Sequence, residues 1–336
     1  MKKYNVAILG ATGAVGAEML KILEERDFPI NELHLLASPR SVGKKVSFRG
    51  NEYTIELASH KAFKGMDIVL GAASNSVAKE FAPTIKNEGA LFIDNSSAFR
   101  MDKDVPLIIP EINSSDIKNH HGIIANPNCS TIITLVAVNA INKLSKIKAM
   151  NAVTYQATSG AGAEGPIELK SQMESLLNGG SIEPEVFQYQ ICNNLIPQIG
   201  SFLDNGYTTE EMKMQNEGRK ILHNDELLVN CTCVRVPVER SHSIAVTLVT
   251  EDYLELDQIN YAMLTTKGVK LYDMPMEKKY PMPLLTTNQD LVYVGRIRRD
   301  ILNKNGITLF CSGDQVRKGA ATNAVQIALA YIGLEF

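Results

Sequence analysis

The segment Asn126-Pro127-Asn128-Cys129-Ser130-Thr131 sets a thiol in a polar turn between an apolar stretch and a long apolar segment. Pro127 disfavours helix just before it, so a following helix starts at or beside Cys129. The positive end of a helix favours thiolate over thiol, and the thiolate is the nucleophile. Cys192, Cys231, Cys233 and Cys311 complete an odd, sparse set that is no disulfide framework. Cys231-Thr232-Cys233 is too short for a zinc knuckle and reads as two core residues on one strand face, so no metal is expected. A nucleophilic cysteine needs an acid or base near it. His120 and His121 read as an exposed turn, His34 alternates within a strand, and His60 and His223 sit in polar surroundings. His242 falls in Val236-Pro237-Val238-Glu239-Arg240-Ser241-His242-Ser243, a polar break between two apolar strands, where the rim of a site is expected.

A second constellation opens the chain. Gly10-Ala11-Thr12-Gly13-Ala14-Val15-Gly16 follows a buried strand, Tyr4–Leu9, and begins a helix, Val15–Arg26. That is the context a dinucleotide-binding loop requires. Gly10 permits the tight turn, Gly13 lets the backbone approach a pyrophosphate, and Gly16 lets helix and strand pack closely. N–H groups at the helix start then face the phosphates. NAD enzymes usually carry an acid at the end of the second strand. Here the chain reads Leu36-Ala37-Ser38-Pro39-Arg40-Ser41, and Arg40 with the hydroxyls of Ser38 and Ser41 suits a 2′-phosphate, favouring NADP.

These residues need a scaffold. The 336 residues suggest about two domains. Hydrophobic residues make up 45% and charged residues 21%, an ordinary globular balance. A net charge of -3 gives no reason to expect nucleic acid. The apolar stretch at the N-terminus is too short for a signal peptide and no run is long enough to span a membrane, so a cytoplasmic location is expected. Up to about residue 128, strands expected at Leu33–Ala37, Asp67–Ala72, Leu91–Asp94, Leu107–Pro110 and Gly122–Ala125 alternate with helical patterns such as Val77–Asn87. This predicts a mostly parallel sheet with helices on both faces. After Cys129 come a long apolar helix, Thr131–Leu144, and strands Lys148–Thr158, Leu227–Val238 and Ser243–Thr250. They suggest an α+β domain with a larger antiparallel sheet. Residues 170–226 read as an insertion with helices, and Arg317–Tyr331 as an apolar helix.

Taken together, G-A-T-G-A-V-G, N-P-N-C-S-T, Q-A-T-S-G-A-G and R-V-P-V-x-R-x-H resemble the bacterial type of aspartate-semialdehyde dehydrogenase, from Asn5 to the C-terminal helix. The P-G-C-Y-x-T and S-N-A-S-C-T-T patterns of N-acetyl-glutamyl-phosphate reductases and glyceraldehyde-3-phosphate dehydrogenases are absent. The resemblance implies an α/β chain: an N-terminal Rossmann-type parallel sheet and an α+β catalytic and dimerisation domain of the glyceraldehyde-3-phosphate dehydrogenase-like kind. The expected domains are 1–128, joined by the C-terminal helix 317–336, and 129–316. It implies reversible NADPH-dependent reductive dephosphorylation of L-4-aspartyl phosphate to L-aspartate 4-semialdehyde, in the aspartate pathway to lysine, threonine, methionine and isoleucine, by a homodimer. Carried over, Cys129 forms the acyl-thioester, His242 is the general acid/base and Gln156 orients the acyl group. Arg235 pairs with the α-carboxylate, and Glu210 meets the α-amino group, with the adjacent Glu211 an alternative. Arg100, Lys213 and Asn128 bind phosphate. Ser159, Gly160 and Gln315 lie near the nicotinamide, beside the loop residues Gly10, Thr12, Gly13, Ala14, Val15 and Gly16. Each residue alone has a plainer reading, such as a loop charge for Arg100 or a solvated helix pair for Glu210 and Lys213. A related acyl-phosphate reductase with another substrate, and a non-catalytic NADP-binding homologue, are the alternatives.

Overall fold

The structure is a computed structural model that describes residues 2–336. The chain forms two compact units: one runs up to Asn128 and takes in Ala320–Phe336, the other is Cys129–Gly319.

The first unit contains β1 (Tyr4–Leu9), α1 (Ala14–Glu25), β2 (Ile30–Ala37), β3 (Lys45–Phe48), β4 (Asn51–Thr54), β5 (Glu56–Leu57), β6 (Ile68–Gly71), α2 (Asn75–Asn87), β7 (Leu91–Asp94), α3 (Pro110–Asn113) and β8 (Ile123–Ala125). Six strands form a sheet in the order β5-β2-β1-β6-β7-β8, and every pairing is parallel. β1 shows why both faces are covered. Val6 and Ile8 enter one core with α1 and the C-terminal helix Thr322–Tyr331, while Ala7 and Leu9 enter another with α2. The period-two alternation of a strand is thus apolar on both sides, as in buried parallel sheets.

β1 lies between β2 and β6, at the point where strand order reverses and α/β sheets bind ligands. The glycine loop leaves β1 there. Gly10 has φ +90, and a Cβ on it would sit 2.5 Å from the Ala72 carbonyl oxygen. A Cβ on Gly16 would sit 2.2 Å from the Gly10 carbonyl oxygen.

One expected strand is corrected. Leu107–Pro110 makes only a single parallel bridge, Leu107 to Ala125, and Pro110 opens α3. The Asn113 side chain accepts from Ile109 N at 2.9 Å and donates to Leu107 O at 2.9 Å, occupying backbone groups that a ladder would need. The β3–β4 hairpin and β5 are additions to the expected elements.

The second unit contains α4 (Cys129–Leu144), β9 (Ile147–Gln156), α5 (Glu164–Leu177), α6 (Thr209–Ile221), β10 (Leu228–Arg235), β11 (His242–Thr250), α7 (Leu256–Thr265), β12 (Val269–Leu271), α8 (Pro283–Thr286), β13 (Val292–Arg299) and β14 (Gly306–Gly313). Its sheet runs β10-β9-β11-β14-β13-β12. The sheet is mixed rather than antiparallel: the central pairings are antiparallel, and both edge strands, β10 and β12, pair in parallel. β9 alternates buried and more exposed residues, so one face meets the helices and the other does not. α5 and α6 fall within or beside the stretch read as a helical insertion. The expected helix Arg317–Tyr331 is divided: Arg317–Ala321 is a π-helical turn, and α9 is the helix Thr322–Tyr331.

Gly16→Ala is expected to lower stability by about 1–3 kcal/mol through overpacking in the βα turn. Urea unfolding at constant slope checks it, and an unchanged midpoint contradicts the close approach described above.

Candidate active site

Cys129 is the first residue of α4 and is partly exposed. The helix behind it is buried from Ser130 to Ile141, which fixes its axis and aims its N-terminal end. Gly319, in the π-helical turn, comes against Cys129: a Cβ there would lie 2.9 Å from Cys129 Cβ.

Three strand ends gather the other groups. The register pairs Gln156 with Arg235 across β9 and β10, and Tyr155 with Ser243 across β9 and β11. Gln156, Arg235 and His242 therefore arrive together where β9 and β10 end and β11 begins. All three are buried, His242 completely. Gln156 Nε2 donates to Glu210 Oε1 at 3.4 Å and to Thr154 Oγ1 at 3.3 Å. Lys213 Nζ donates to Glu210 Oε2 at 2.8 Å. The Glu210 carboxylate is thus held between an amide and an ammonium. Glu211 is otherwise engaged: it forms the capping box with Thr208 and accepts from Cys233 N at 3.0 Å. Between the two adjacent glutamates, the one facing Gln156 is Glu210.

Arg235 Nη1 donates to the Ala157 carbonyl at 2.6 Å. Its guanidinium also lies 5.8 Å from the Phe187 ring centroid, within cation–π range. Burial pulls its pKa down, while the negative charges of Cys129, Glu210 and Cys233 push it up. Ala157 turns the other way too: its N–H donates to His242 Nδ1 at 3.1 Å. Burial first, and the Arg235 charge second, hold the His242 pKa down to about 3, against a weaker upward pull from Glu210.

The loop before β11 is zipped to the turn after β9. Thr158 N donates to Val238 O at 2.8 Å, and Ser159 Oγ donates to Glu239 O at 2.6 Å. Gln315 clamps both: its Oε1 accepts from Ser241 N at 2.8 Å, and its Nε2 donates to Ser159 Oγ. Ser241, with φ 74, is a left-handed non-glycine residue directly before His242. Asp314, fully buried, anchors this end of β14: it takes Arg240 Nε at 2.7 Å and the N–H groups of Asn288, Val316 and Arg317.

In the first unit, Gly10, Thr12, Gly13 and Ser38 line a cavity of about 380 Å³ together with Ala72, Ala73, Val77, Glu80 and Phe81. The loop is tied down by Gly10 N and Ala11 N, which both donate to Leu36 O. Ala14, Val15 and Gly16 form the first turn of α1, whose N–H groups lack intrahelical acceptors. A cradle so tight that a Cβ on Gly10 or Gly16 would strike backbone, beside an open cavity, fits a dinucleotide. Ser41 is buried and meets Thr12 Oγ1 through its hydroxyl at 3.2 Å, and does not line the cavity. Arg40 is exposed in the turn after β2 and is also outside the lining. Arg100, buried in this unit, donates from Nε to Asn126 O at 2.9 Å and from Nη2 to Asn95 O at 2.8 Å. Asn128 is buried immediately before Cys129.

Residues 5–120 match the family model for the semialdehyde dehydrogenase NAD binding domain, and residues 138–318 match that for the semialdehyde dehydrogenase dimerisation domain. Aspartate-semialdehyde dehydrogenase of Bacillus subtilis is 47% identical over 332 residues, covering 96% of each chain. That of Aquifex aeolicus is 46% identical over 329 residues, covering 97% of each. The chain belongs to the aspartate-semialdehyde dehydrogenase family. The crystal structure of aspartate semialdehyde dehydrogenase II from Vibrio cholerae, complexed with ASA, aligns with a TM-score of 0.97 at 43% identity over all of both chains.

Against the pattern expected of an aspartate-semialdehyde dehydrogenase, the second unit brings together Gln156, Glu210, Lys213, Arg235 and His242, with Ser159, Gly160 and Gln315 around them. His242 differs from its expected place: it lies at the closed end of a strand, not at a rim, because β9 and β14 flank it. Ala157, Ser241, Asp314 and Gly319 were not singled out by sequence. Ala157 and Gly319 act through backbone groups or a missing side chain, which residue type does not advertise.

The folded state keeps His242 neutral to about 3, whereas the unfolded imidazole takes a proton below 6.5. The unfolded chain therefore binds more protons between those values, and this contribution to stability is lost as pH falls through that window. Compared with His242→Gln, the unsubstituted chain is expected to lose stability as pH drops from 6.5 toward 3. Denaturation midpoints across that range test it, and a pH-independent difference contradicts it.

Proposed function

We propose that this chain catalyses the reversible, NADPH-dependent reductive dephosphorylation of L-4-aspartyl phosphate to L-aspartate 4-semialdehyde, through an acyl-thioester on Cys129. The observation that carries the reading is the convergence of Gln156, Arg235, Glu210 and His242 at three strand ends, in a chain of this family. The substrate bears a carboxylate, an ammonium and a phosphate. Arg235 offers a planar, charged fork for the carboxylate. Glu210 offers a carboxylate for the ammonium. Arg100, Lys213 and Asn128 are the phosphate groups of this reading.

The helix start favours the Cys129 thiolate, as does the Arg235 charge, which is electrostatically coupled to it. The thiolate attacks the acyl carbon, the carbon–oxygen bond to phosphate breaks, and the Gln156 amide orients the acyl group. When bound, NADPH supplies hydride to the thioester carbonyl. Gly10, Thr12, Gly13, Ala14, Val15 and Gly16 would hold its pyrophosphate, with Ser38, Arg40 and Ser41 toward the 2′-phosphate. Ser159, Gly160 and Gln315 would lie at the nicotinamide. Covalent catalysis divides one hard step into two easier ones. The dimerisation-domain match supports a homodimer, and Tyr155, partly exposed beside Phe310 on one face of the sheet, offers a surface for it. Among the described residues no helix is long and apolar enough to cross a membrane. A cytoplasmic enzyme of amino-acid biosynthesis agrees with this reading.

The reverse reaction, with aspartate semialdehyde, phosphate and NADP, tests the proposal directly. Phosphate-dependent reduction of NADP is expected with the native chain and none with Cys129→Ala, which should still bind NADPH. Turnover by that variant would remove the thioester. Arg40→Ala is expected to weaken NADP several-fold while leaving NAD nearly unchanged, as measured by titration of each. Equal effects on the two would place Arg40 outside the 2′-phosphate site.

A further inference from the structure

Asn126 commits every polar atom it has. Its backbone N–H donates to Asp94 O at 2.8 Å, and its backbone carbonyl accepts from Arg100 Nε at 2.9 Å. Its Nδ2 donates to Asn95 Oδ1 and, at 3.4 Å, to Ala320 O. Its Oδ1 accepts from Asn323 Nδ2 at 2.7 Å. Asn323, in the first turn of α9, also donates from Nδ2 to Ile108 O at 2.9 Å. Asn126 and Asn323 are fully buried, and Asn95 is partly so. Three amides thus run in a chain from α9, past the end of β8, to the end of β7.

The far end of this chain holds Arg100. Nη2 donates to Asn95 O at 2.8 Å, beside the Nε bond to Asn126 O. Nε and Nη2 form one edge of a planar, rigid fork, so two acceptors on that edge set the plane of the whole guanidinium. Those carbonyls are only as fixed as the strand ends that carry them. β7 stops at Asp94 and β8 at Ala125. Past these ends the ladder continues with Asn126 N to Asp94 O, and the side-chain bond from Asn126 to Asn95 then takes over. The central position demands a side chain that donates and accepts at once, which an amide does and a carboxylate does not. A buried network satisfied in this way specifies one arrangement.

We infer that Asn95, Asn126 and Asn323 are positioning residues for the phosphate subsite, their amide chain letting the C-terminal helix set the orientation of Arg100. This deepens the proposed function and rests on its reading of Arg100 as a phosphate group. Asn126 also opens the turn Asn126-Pro127-Asn128, whose Asn128 belongs to the same subsite in that reading, and Pro127 stiffens the step between them. An amide that was only structural would cost stability when removed and leave the constants of the three substrates in proportion. A positioning amide changes the constant for phosphate alone.

Steady-state kinetics of the whole enzyme in the aldehyde-oxidising direction, with phosphate, aspartate semialdehyde and NADP varied in turn, tests this. Asn323→Ala and Asn95→Ala are each expected to raise the phosphate KM about tenfold, the size of one buried hydrogen bond lost, with the other two KM values within about twofold. Because both act through one chain, the double variant is expected to match the larger single effect rather than their product. Equal changes in all three KM values, or multiplied effects in the double variant, would overturn the inference. Asn95→Ala, at a partly exposed position, keeps the test open should Asn323→Ala not fold. A second readout needs no substrate. Magnetic resonance of the heavy-nitrogen-labelled enzyme follows the Arg100 Nε–H, assigned by its loss in Arg100→Lys. It is expected to exchange with water about tenfold faster or more in Asn95→Ala than in the native chain. Equal exchange rates would overturn the positioning role. An unchanged phosphate KM in Arg100→Lys would instead remove Arg100 from the phosphate site, while the exchange rates still decide whether the amides hold its guanidinium.

Discussion

The register of β9 governs the second unit. β9 hydrogen-bonds to β10 on one side and β11 on the other, so its pairing decides which residues of three strands share a face and an end. A slip of one residue on either side would turn every side chain of the moved strand to the opposite face. Gln156 and Arg235 are opposite each other only in this register, and His242 reaches Ala157 only because β11 starts where β9 stops. The alternation along β9 makes such a slip costly, because it would expose Met150, Ala152 and Thr154.

Within that frame, charge is handled by backbone as much as by side chains. Arg235 stays buried with a carbonyl as its partner and a carboxylate nearby, which lets it keep its charge away from water. Ala157 presents its carbonyl to Arg235 and its N–H to His242. An alanine thereby fixes the relative placement of a guanidinium and an imidazole without contributing a side chain to either.

Much of this was legible in the sequence. The glycine loop was readable because a buried strand precedes it and a helix follows, and the thiol because a proline-containing polar turn leads into a long apolar helix. β9 was readable from alternation, and β10 and β11 from their long β-prone stretches. β13 was not: Val292–Arg299 begins with apolar residues and ends Arg-Ile-Arg-Arg, so its charged half hides the strand. The Leu107–Pro110 stretch looked like a strand on apolar content alone, and the Asn113 side chain decided otherwise. The depth of His242 was also hidden, since its polar neighbours in sequence suggested an edge, while the strands that bury it come from distant positions.

The last residues of the chain belong to the first unit, where Ala321, Ala324, Val325, Ile327, Ala328 and Leu329 complete the core that Val6 and Ile8 began. The second unit is an uninterrupted stretch of sequence inserted before them. On the ribosome this reverses the usual order of completion, in which the N-terminal domain closes first. The second unit has all its strands as soon as β14 emerges. The dinucleotide-binding sheet, though begun first, has one face covered only in part, by α1, until α9 leaves the exit tunnel.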